Sequence, residues 1–388
     1  MTIPVGPLGF TPPGPLYLGK RNSLVSLDFV DEDRLLFTFR VPGLMHRSLE
    51  PGELPDGEER RIRALVLRLP SGTIETEAIW TVHDRARYLW MLRDGHFLLR
   101  DGESVAEGGA SLELKPLLRF PGPVLWLETD PLERYMVANS REPVAAPARQ
   151  GDVETPAAAE ANMSVDGQAA SANPEIVVRI LQRASGQVML VSRVRTLVHL
   201  PINQEGYVES LRGQGLNWVL NLSLFGGGSR ILGQVQSTCM PLEEFLTDDK
   251  LLVSTCGLSG ERRLAAMTTA GQLLWQDEDA ATSVWPVVTR SAAGTRFVEE
   301  TLAAAHVISA AAPLDSEDIK GQAVRVIDVA TGELLLESAA SPVFDAGGNV
   351  ALSPSGRRAA VLRGGALEVF DLPANEDTAS PGAGQNAH

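Results

Sequence analysis

The sequence predicts an all-β protein, and three of its features indicate this fold class. Short apolar runs of strand length follow one another along most of the chain, separated by Gly, Asp and Pro turns. Pairs of such runs recur at a nearly constant spacing. Segments with the periodicity and capping residues of an α-helix are almost absent, and the one candidate, residues 296–305, is short. We therefore expect a succession of small antiparallel sheets.

The repeated element is a pair of β-rich runs joined by a glycine turn. A small polar residue followed by Gly supplies the positive φ angle that a short hairpin with a bulge requires. The turns at Gly186, Gly228 and Gly271 are 42 and 43 residues apart. A period of about 42 residues matches one four-stranded blade of a β-propeller. The turn glycines are Gly72, Gly186, Gly271 and Gly332 in the clearest copies, and Gly228 and Gly122 in weaker copies.

A second pattern precedes these hairpins, in which two apolar runs are joined by an acidic or glycine turn. The Asp, Gly and Pro residues at these turns are typical of tight connections between antiparallel strands. We interpret each copy as the inner two strands of a blade. The copies span residues 24–39, 88–99, 124–137, 242–253 and 350–362.

The two patterns together predict a single β-propeller of about seven four-stranded blades within residues 1–373, although six or eight blades stay open. The last unit has only three obvious strands, and an incomplete blade would leave an exposed sheet edge. We expect an N-terminal strand, around residues 16–19, to supply the fourth strand and close the ring. The predicted units are residues 22–82, 83–122, 123–194, 195–238, 239–280, 281–341 and 342–373.

Two segments do not fit the repeat. Residues 141–174 are rich in Ala, Pro, Ser, Gly, Asn and Gln and contain few large apolar residues. Such a composition buries too little surface to offset the entropy lost on ordering. We predict a disordered insertion at 141–174 within the third blade and a disordered tail at 374–388.

The charge balance excludes some classes of partner. The chain has 388 residues, with 49 acidic and 34 basic side chains and a formal charge of −15. Such a field repels a phosphate backbone, so we expect no nucleic-acid partner. A membrane-spanning helix needs roughly 18–20 consecutive apolar residues, and no stretch of this sequence approaches that length. We expect a monomer without a membrane span that binds a protein or peptide.

Three hairpins carry a resemblance to known proteins. Residues 328–333 and 270–275 are similar to the Asp-x-x-Thr-Gly…Trp hairpin of quinoprotein-like propellers, and residues 350–361 resemble the inner hairpin of WD-repeat blades. On these motifs the chain resembles the WD-repeat and quinoprotein-like β-propeller superfamily, and we expect a bacterial member. The resemblance covers residues 239–373. It implies a fold, because propellers carry many unrelated functions.

The sequence contains no recognisable catalytic motif. A Gly-x-Ser-x-Gly elbow, a His-Glu-x-x-His motif, a Cys-x-x-Cys pair and a phosphate-binding Gly-rich loop are all missing, so we assign no catalytic residue, no metal and no cofactor. We expect a non-catalytic propeller that binds a protein or ligand. The alternative is an enzyme with an active site on the channel face, namely a hydrolase, a lyase or a quinone-dependent oxidoreductase. The resemblance implies adjacent cysteines for the last of these, which this chain lacks.

The candidate binding residues lie where the outer strand of one blade connects to the inner strand of the next. His83, Asp84, Arg85 and Arg87 form a polar cluster in such a connection, and a His-Asp pair can orient an imidazole. Trp285 follows another polar connection and is expected to be exposed. We expect the other tryptophans to fill the wedges between blades.

The only cysteines are Cys239 and Cys256, which flank one predicted hairpin. They form a disulfide if the compartment is oxidising and remain thiols if it is reducing. The N-terminal residues lack the basic and apolar regions of an export signal. If Met1 is the natural start, we expect the protein in the cytoplasm. If Met1 replaces a removed leader, we expect it in the periplasm or outside the cell.

Overall fold

Seven antiparallel sheets contain almost all the regular structure of the computed structural model. The structure describes residues 1–12, 24–41, 60–83, 87–142, 175–279, 283–307, 316–344 and 347–374. Within these ranges the one helical element is the three-residue 3₁₀ turn Ser316–Asp318. None of the described residues forms a helix with the length and apolar character that crossing a membrane requires. The predicted all-β fold is confirmed.

The sheets are the blades of a β-propeller and follow one another in chain order. We number the blades 1 to 7 and their strands from the innermost to the outermost. Blade 7 takes its outermost strand, β1 (Thr2–Pro4), from the N-terminus. The strands of blades 1 to 3 are β2 (Ser26–Asp31), β3 (Arg34–Arg40), β4 (Arg60–Arg68) and β5 (Thr73–Val82); β6 (Leu89–Met91), β7 (Phe97–Asp101), β8 (Ser104–Gly108) and β9 (Lys115–Arg119); and β10 (Val124–Thr129), β11 (Tyr135–Glu142), β12 (Glu175–Gln182) and β13 (Val188–Val194).

Blade 4 differs from the others, because its sheet has three strands and an irregular segment takes the place of the innermost one. The remaining blades have four strands each. The strands of blades 4 to 7 are β14 (Gly206–Arg212), β15 (Asn217–Leu224) and β16 (Ser229–Gln236); β17 (Leu242–Thr247), β18 (Lys250–Cys256), β19 (Arg262–Thr268) and β20 (Leu273–Asp279); β21 (Ser283–Arg290), β22 (Arg296–Ala304), β23 (Ile319–Asp328) and β24 (Leu334–Ala340); and β25 (Val350–Leu352), β26 (Arg358–Arg363) and β27 (Ala366–Asp371).

Each predicted unit contains one blade, and both repeated patterns are confirmed. The predicted inner hairpins are the first two strands of blades 1, 2, 3, 5 and 7. Four predicted turn glycines join a third to a fourth strand with positive φ, and a register shift lies beside each turn, as a bulged hairpin requires. These glycines are Gly72, Gly186, Gly271 and Gly332.

Gly332 and Gly122 are required for different reasons. Gly332 has a φ of 73°, and a Cβ there would lie 2.7 Å from Cδ2 of Trp275. Gly122 was predicted as a hairpin turn, which is wrong, because it lies between β9 and β10. A Cβ at Gly122 would lie 2.0 Å from the carbonyl oxygen of Arg141, so this position allows close approach of two backbones.

The ring is closed by an N-terminal strand, as predicted, but the strand is β1 and not residues 16–19. Ile3 pairs with Leu367 of β27 in antiparallel register, and the amino group of Met1 donates to the carbonyl oxygen of Val369 at 2.7 Å. Residues 16–19, the predicted position of the closing strand, lie outside the described residues. Pro4 is tolerated because β1 is an outermost strand.

The core is divided into apolar clusters, and each of the seven boundaries between neighbouring blades has one. Side chains of a strand alternate between its two faces, so a central strand contributes to two clusters. In β3, Leu35 and Phe37 pack towards blade 7, whereas Leu36 packs towards blade 2. Burial on both faces explains why these strands are apolar runs with little alternation.

The helix considered for residues 296–305 is wrong, because this segment forms β22, the second strand of blade 6. Phe297 packs towards blade 5 and Val298 towards blade 7, which is the two-residue alternation of a strand. Glu, Leu and Ala are good helix formers, but burial between two neighbouring blades decides the conformation here.

The predicted disordered segments fall largely outside the described residues. Arg141 and Glu142 belong to β11, whereas 143–174 lie outside the described residues. The described strands extend from Thr2 to Asp371, and 375–388 also lie outside the described part.

Candidate functional site

A cavity of about 360 Å³ occupies the central channel of the ring. The innermost strands of six blades line it, and the irregular segment of blade 4 completes the wall. A smaller adjoining cavity of about 40 Å³ shares Asp28 and Arg87 with the larger one. Ring geometry therefore brings together side chains that are far apart in the sequence.

The irregular segment of blade 4 brings His199 to the channel. Asn139 of blade 3 holds this segment through two hydrogen bonds with the backbone of Val198, of 3.2 and 3.3 Å. Further along, Ile202 forms an isolated β-bridge with Tyr207, and the amide of Val208 donates to the carbonyl oxygen of Pro201 at 2.9 Å.

His199 is held as a cation by two neighbouring blades. Its Nδ1 contacts Oε1 of Glu128 in β10, and its Nε2 donates to the carbonyl oxygen of Glu243 in β17 at 2.5 Å. Burial works to lower the pKa of His199, but the charge and hydrogen bond of Glu128, together with the charge of Glu244, raise it to about 10. The imidazolium consequently donates from both ring nitrogens.

Glu128 is the best-satisfied carboxylate of the channel. Trp126 Nε1 donates to Oε1 of Glu128 at 2.9 Å, and the amide of Leu200 donates to Oε2 at 3.2 Å. Burial works to raise the pKa of Glu128, yet His199 and these hydrogen bonds hold it below its ordinary value. Glu128 is therefore ionised at neutral pH.

Arg290, the last residue of β21, connects three blades near one end of the cavity. Its guanidinium donates to Oε1 of Glu244 at 3.2 Å and to the carbonyl oxygen of Phe245 at 3.3 Å, both in blade 5. It also donates to the carbonyl oxygens of Thr129 and Asp130, at the end of β10 in blade 3, at 3.1 and 3.2 Å. These contacts cross the channel.

Burial raises the pKa of five carboxyl groups that line the two cavities, namely Asp28, Glu133, Glu243, Glu244 and Glu300. Burial raises the pKa of Asp28 to about 6 and that of Glu300 to about 8, against the lowering effect of nearby Arg87. Burial also raises the pKa of Glu244, even though His199 and Arg290 lie beside it. The channel thus contains carboxylates with incomplete compensation by cations.

Arg87 and two tryptophans form the remaining wall. The Nε of Arg87 donates to the carbonyl oxygen of Leu89 at 3.0 Å, and its guanidinium lies 5.5 Å from the centre of the Trp90 ring. Trp90 and Trp126 meet edge to face with 6.0 Å between ring centres, and both line the cavity. An aromatic surface beside carboxylates suits a positively charged group.

The structure separates the predicted binding residues. Arg87 lines the channel, whereas His83 lies outside the residues that line the cavity and pairs through Nδ1 with Oδ1 of Asp101 at 2.7 Å. Asp84 and Arg85 lie outside the described residues. Trp285 belongs to β21, but its side chain is not among those described.

The structure joins Cys239 to Cys256 by a disulfide, with 5.6 Å between their Cα atoms. The bond links the connection between blades 4 and 5 to the end of β18. The amide of Cys256 also donates to Oγ of Ser237 at 3.0 Å. This end of blade 5 is therefore held by covalent and hydrogen bonds.

Most residues of the channel were not found by sequence reasoning. The sequence did contain a signal for the acidic residues of the channel, because they interrupt the apolar runs that were predicted to form innermost strands. The cations that pair with these acidic residues could not be predicted, because the pairing depends on how the ring closes. The missed residues are Asp28, Glu128, His199, Glu244, Arg290 and Glu300. Among the described residues, no group of three or more His, Cys, Asp or Glu side chains has a geometry that could hold a metal ion.

The fold and its channel define a seven-bladed β-propeller. Among solved structures, the chain is similar to an acylaminoacyl peptidase of Pyrococcus horikoshii, with 10% identity, 92% of this chain and 53% of that chain covered, and a TM-score of 0.51. The chain spans about half the length of that peptidase. At this identity the likeness shows the fold alone.

Two further structures have lower scores. The C-terminal WD40 domain of Sif2 is 12% identical over 92% of this chain and 97% of that chain, with a TM-score of 0.46. Chaetomium thermophilum Sqt1, solved with the N-terminus of ribosomal protein L10, is 12% identical over 92% and 98%, with a TM-score of 0.43. No protein-family model and no curated protein sequence matches the chain.

Proposed function

We propose that the protein is a non-catalytic binding module whose channel accepts a positively charged side chain of a protein or peptide partner. The observation that carries this proposal is the excess of carboxyl groups in the channel. Six acidic and four cationic side chains line the two cavities, as far as the chain is described. A basic group entering the channel would supply the missing positive charge.

The raised pKa values of Asp28 and Glu300 support this charge preference. A cation beside either carboxyl group favours its ionised form and lowers its pKa. Trp126 adds aromatic surface, which attracts ammonium and guanidinium groups. The formal charge of −15 would also accelerate encounter with a basic partner at low salt.

Binding is favoured over the enzyme alternative by the state of His199. A general base works best with a pKa near the operating pH. His199 has a pKa of about 10, so it is a cation at neutral pH that pairs with Glu128 and does not accept a proton. The hydrolase, lyase and oxidoreductase alternatives receive no support from this histidine.

The proposal is tested by calorimetric titration of the purified protein with peptides that contain one lysine or one arginine. We expect Glu244→Gln and Asp28→Asn to weaken binding, and Glu337→Gln, which removes an exposed carboxylate of β24, to leave it unchanged. A neutral peptide of the same length should not bind. Equal affinity for basic and acidic peptides would overturn the proposal.

The same calorimetric titration measures the number of protons that the protein releases or takes up when it binds the peptide. At pH 7 the Glu300 carboxyl is largely protonated, because its pKa is about 8. A bound cation lowers that pKa, so binding should release protons, visible as a dependence of the heat on the ionisation enthalpy of the buffer. Net proton uptake would contradict binding of a cation beside these carboxyl groups.

A further inference from the structure

Two carboxyl groups and one guanidinium line the smaller of the two cavities, which we call the side cavity. It has a volume of about 40 Å³, and its charged residues, as far as the chain is described, are Asp28 of β2, Glu300 of β22 and Arg87. Asp28, Arg87, Val287 and Thr289 also line the channel cavity. These four residues therefore form the boundary between the channel and the side cavity.

The Glu300 carboxyl is held in a fixed orientation at the side cavity. The side-chain amide of Gln322 donates to its Oε2 at 2.9 Å, and Gln322 exchanges two hydrogen bonds of 2.8 and 3.2 Å with Asn349. The backbone amide of Gly348 also donates to this carboxyl. A Cβ at Gly347, which lines the same cavity, would lie 2.8 Å from Oε1 of Glu300. The space beside this oxygen is therefore open because residue 347 has no side chain.

Asp28 and Glu300 share one nearby cation. The hydroxyl of Ser26 donates to Oδ2 of Asp28 at 2.5 Å. The charge of Arg87 lowers the pKa of both carboxyl groups, yet within the described part of the chain neither of them forms an ion pair with it. The guanidinium of Arg87 lies instead over the ring of Trp90. With both carboxyl groups ionised, the side cavity therefore has one negative charge in excess.

The size of the side cavity favours an ammonium group over larger cations. A cavity needs about 10–15 Å³ to hold one water molecule, so the side cavity accepts roughly three atoms of that size. A lysine ammonium and its nearest methylenes fit this space, and its three N–H donors match the carboxyl oxygens of the wall. A guanidinium is a rigid plane whose five donors point in fixed directions. A trimethylated ammonium is also larger and has no N–H donor.

We infer that the side cavity binds the ammonium group of a lysine side chain of the partner, so that the channel selects lysine over arginine. This inference rests on the proposed channel function and names the side chain that the partner supplies. The occupant follows from charge complementarity, because an ammonium group balances the second carboxyl group beside Arg87. The lysine stem would pass Val287 and Thr289 at the boundary and pack on Leu89 and Val350, which line the side cavity.

The test is a calorimetric titration of the full-length protein with three N-acetylated, C-amidated octapeptides that differ at one central position. This position holds lysine, arginine or trimethyl-lysine. We expect the lysine peptide to bind roughly ten-fold more tightly than either of the others, which is the usual effect of one hydrogen bond to a charged group.

Two variants of the side cavity should lower this preference to about two-fold or less. Glu300→Gln removes the charge, and glutamine can still accept the hydrogen bond from Gln322. Val287→Met keeps every charge and places a longer side chain at the boundary between the two cavities. The matched control is Glu244→Gln, which removes a carboxyl group that lines the channel cavity alone. It should weaken binding of the lysine and arginine peptides equally and preserve the preference for lysine.

The outcomes separate the two proposals. If the lysine peptide binds no more tightly than the other two, the inference is wrong and the channel function stands. The same conclusion holds if the preference survives in Glu300→Gln or in Val287→Met, or if Glu244→Gln abolishes it, because the ammonium group would then bind outside the side cavity. If none of the three peptides binds, the channel function fails and the inference fails with it.

Discussion

The Arg290 guanidinium in blade 6 donates a hydrogen bond of 3.1 Å to the carbonyl oxygen of Thr129 at the end of β10 in blade 3. These residues are 161 positions apart in the sequence and lie on opposite sides of the channel. Because the same guanidinium pairs with Glu244 of blade 5, one side chain connects three blades. Arg290 therefore ties blades 3, 5 and 6 together at the channel.

Arg290→Ala should lower the free energy of unfolding by about 1–3 kcal/mol, because it removes the charged hydrogen bonds that cross the channel to the carbonyl oxygens of Thr129 and Asp130. Urea unfolding at pH 7 measures the loss. The control is Arg193→Ala, which removes an exposed pair with Glu175 and should change stability by about 0.5 kcal/mol or less. If both variants lost the same free energy of unfolding, the contacts across the channel would contribute no more stability than an exposed ion pair.

Glu300→Gln should make the protein more stable at pH 9 and leave it nearly unchanged at pH 4. Burial raises the pKa of Glu300 from 4.5 to about 8, so the folded protein keeps this proton while the unfolded chain loses it. The stability from this group is complete below pH 4.5 and is lost as the pH rises to about 8. Glutamine does not ionise, and it can still accept the hydrogen bond that Gln322 donates to Glu300 at 2.9 Å.

The gain for Glu300→Gln at pH 9 should be a few kcal/mol, since one pKa unit corresponds to about 1.4 kcal/mol. Thermal unfolding between pH 4 and pH 9 measures the difference between the variant and the wild type. Glu337→Gln, an exposed change in the same blade, serves as the control. A difference that does not depend on pH would contradict a buried carboxyl group at this position.

Ile3→Ala should weaken the closure of the ring by about 2–5 kcal/mol, the usual cost of truncating a buried isoleucine. Ile3 is 6% exposed and belongs to the cluster between blades 7 and 1. Its neighbour Thr2 is exposed on the same strand, so Thr2→Ala should change stability by about 0.5 kcal/mol at most. Calorimetric melting compares the two variants, and equal melting temperatures would show that β1 does not close the ring.

Replacing both cysteines by serine should lower stability by about 3 kcal/mol, because the disulfide closes a loop with a sequence separation of 17 residues. Urea unfolding with and without a reductant measures the effect. The reductant should destabilise the wild type and leave the Cys239→Ser, Cys256→Ser double variant unaffected. Peptide mapping without reduction should recover the two cysteines in one linked fragment, and two free thiols in the purified protein would contradict the bond.

Local patterns were sufficient to predict the blades. The turn at Gly332 requires a positive φ angle, and the inner hairpin of residues 350–362 requires burial of one strand beside the next. Both requirements restrict the residue types at neighbouring positions, so both can be recognised in the local sequence. The mistakes occurred where a local pattern had two interpretations. Residues 296–305 contain good helix formers, and only packing between two neighbouring blades makes them a strand.

The channel was predicted less well. Arg87 was selected because it follows an outermost strand and precedes an innermost one, and the structure does place it in the channel. His83 was selected for the same reason, but it pairs with Asp101 outside the cavity. A connection of six residues between β5 and β6 is long enough for its two ends to face different environments.

The sequence by itself determined that the chain forms a ring of about seven small sheets, because turn chemistry and strand burial act between residues that are neighbours in the sequence, and the structure fixed the number at seven. The tertiary structure decided which strand closes the ring and which charged side chains meet in the channel. His199 and Glu128 are 71 positions apart, and Arg290 and Thr129 are 161 apart. Their contacts depend on the strand register and on the radius of the closed ring, and neither quantity can be predicted from a local segment of the sequence.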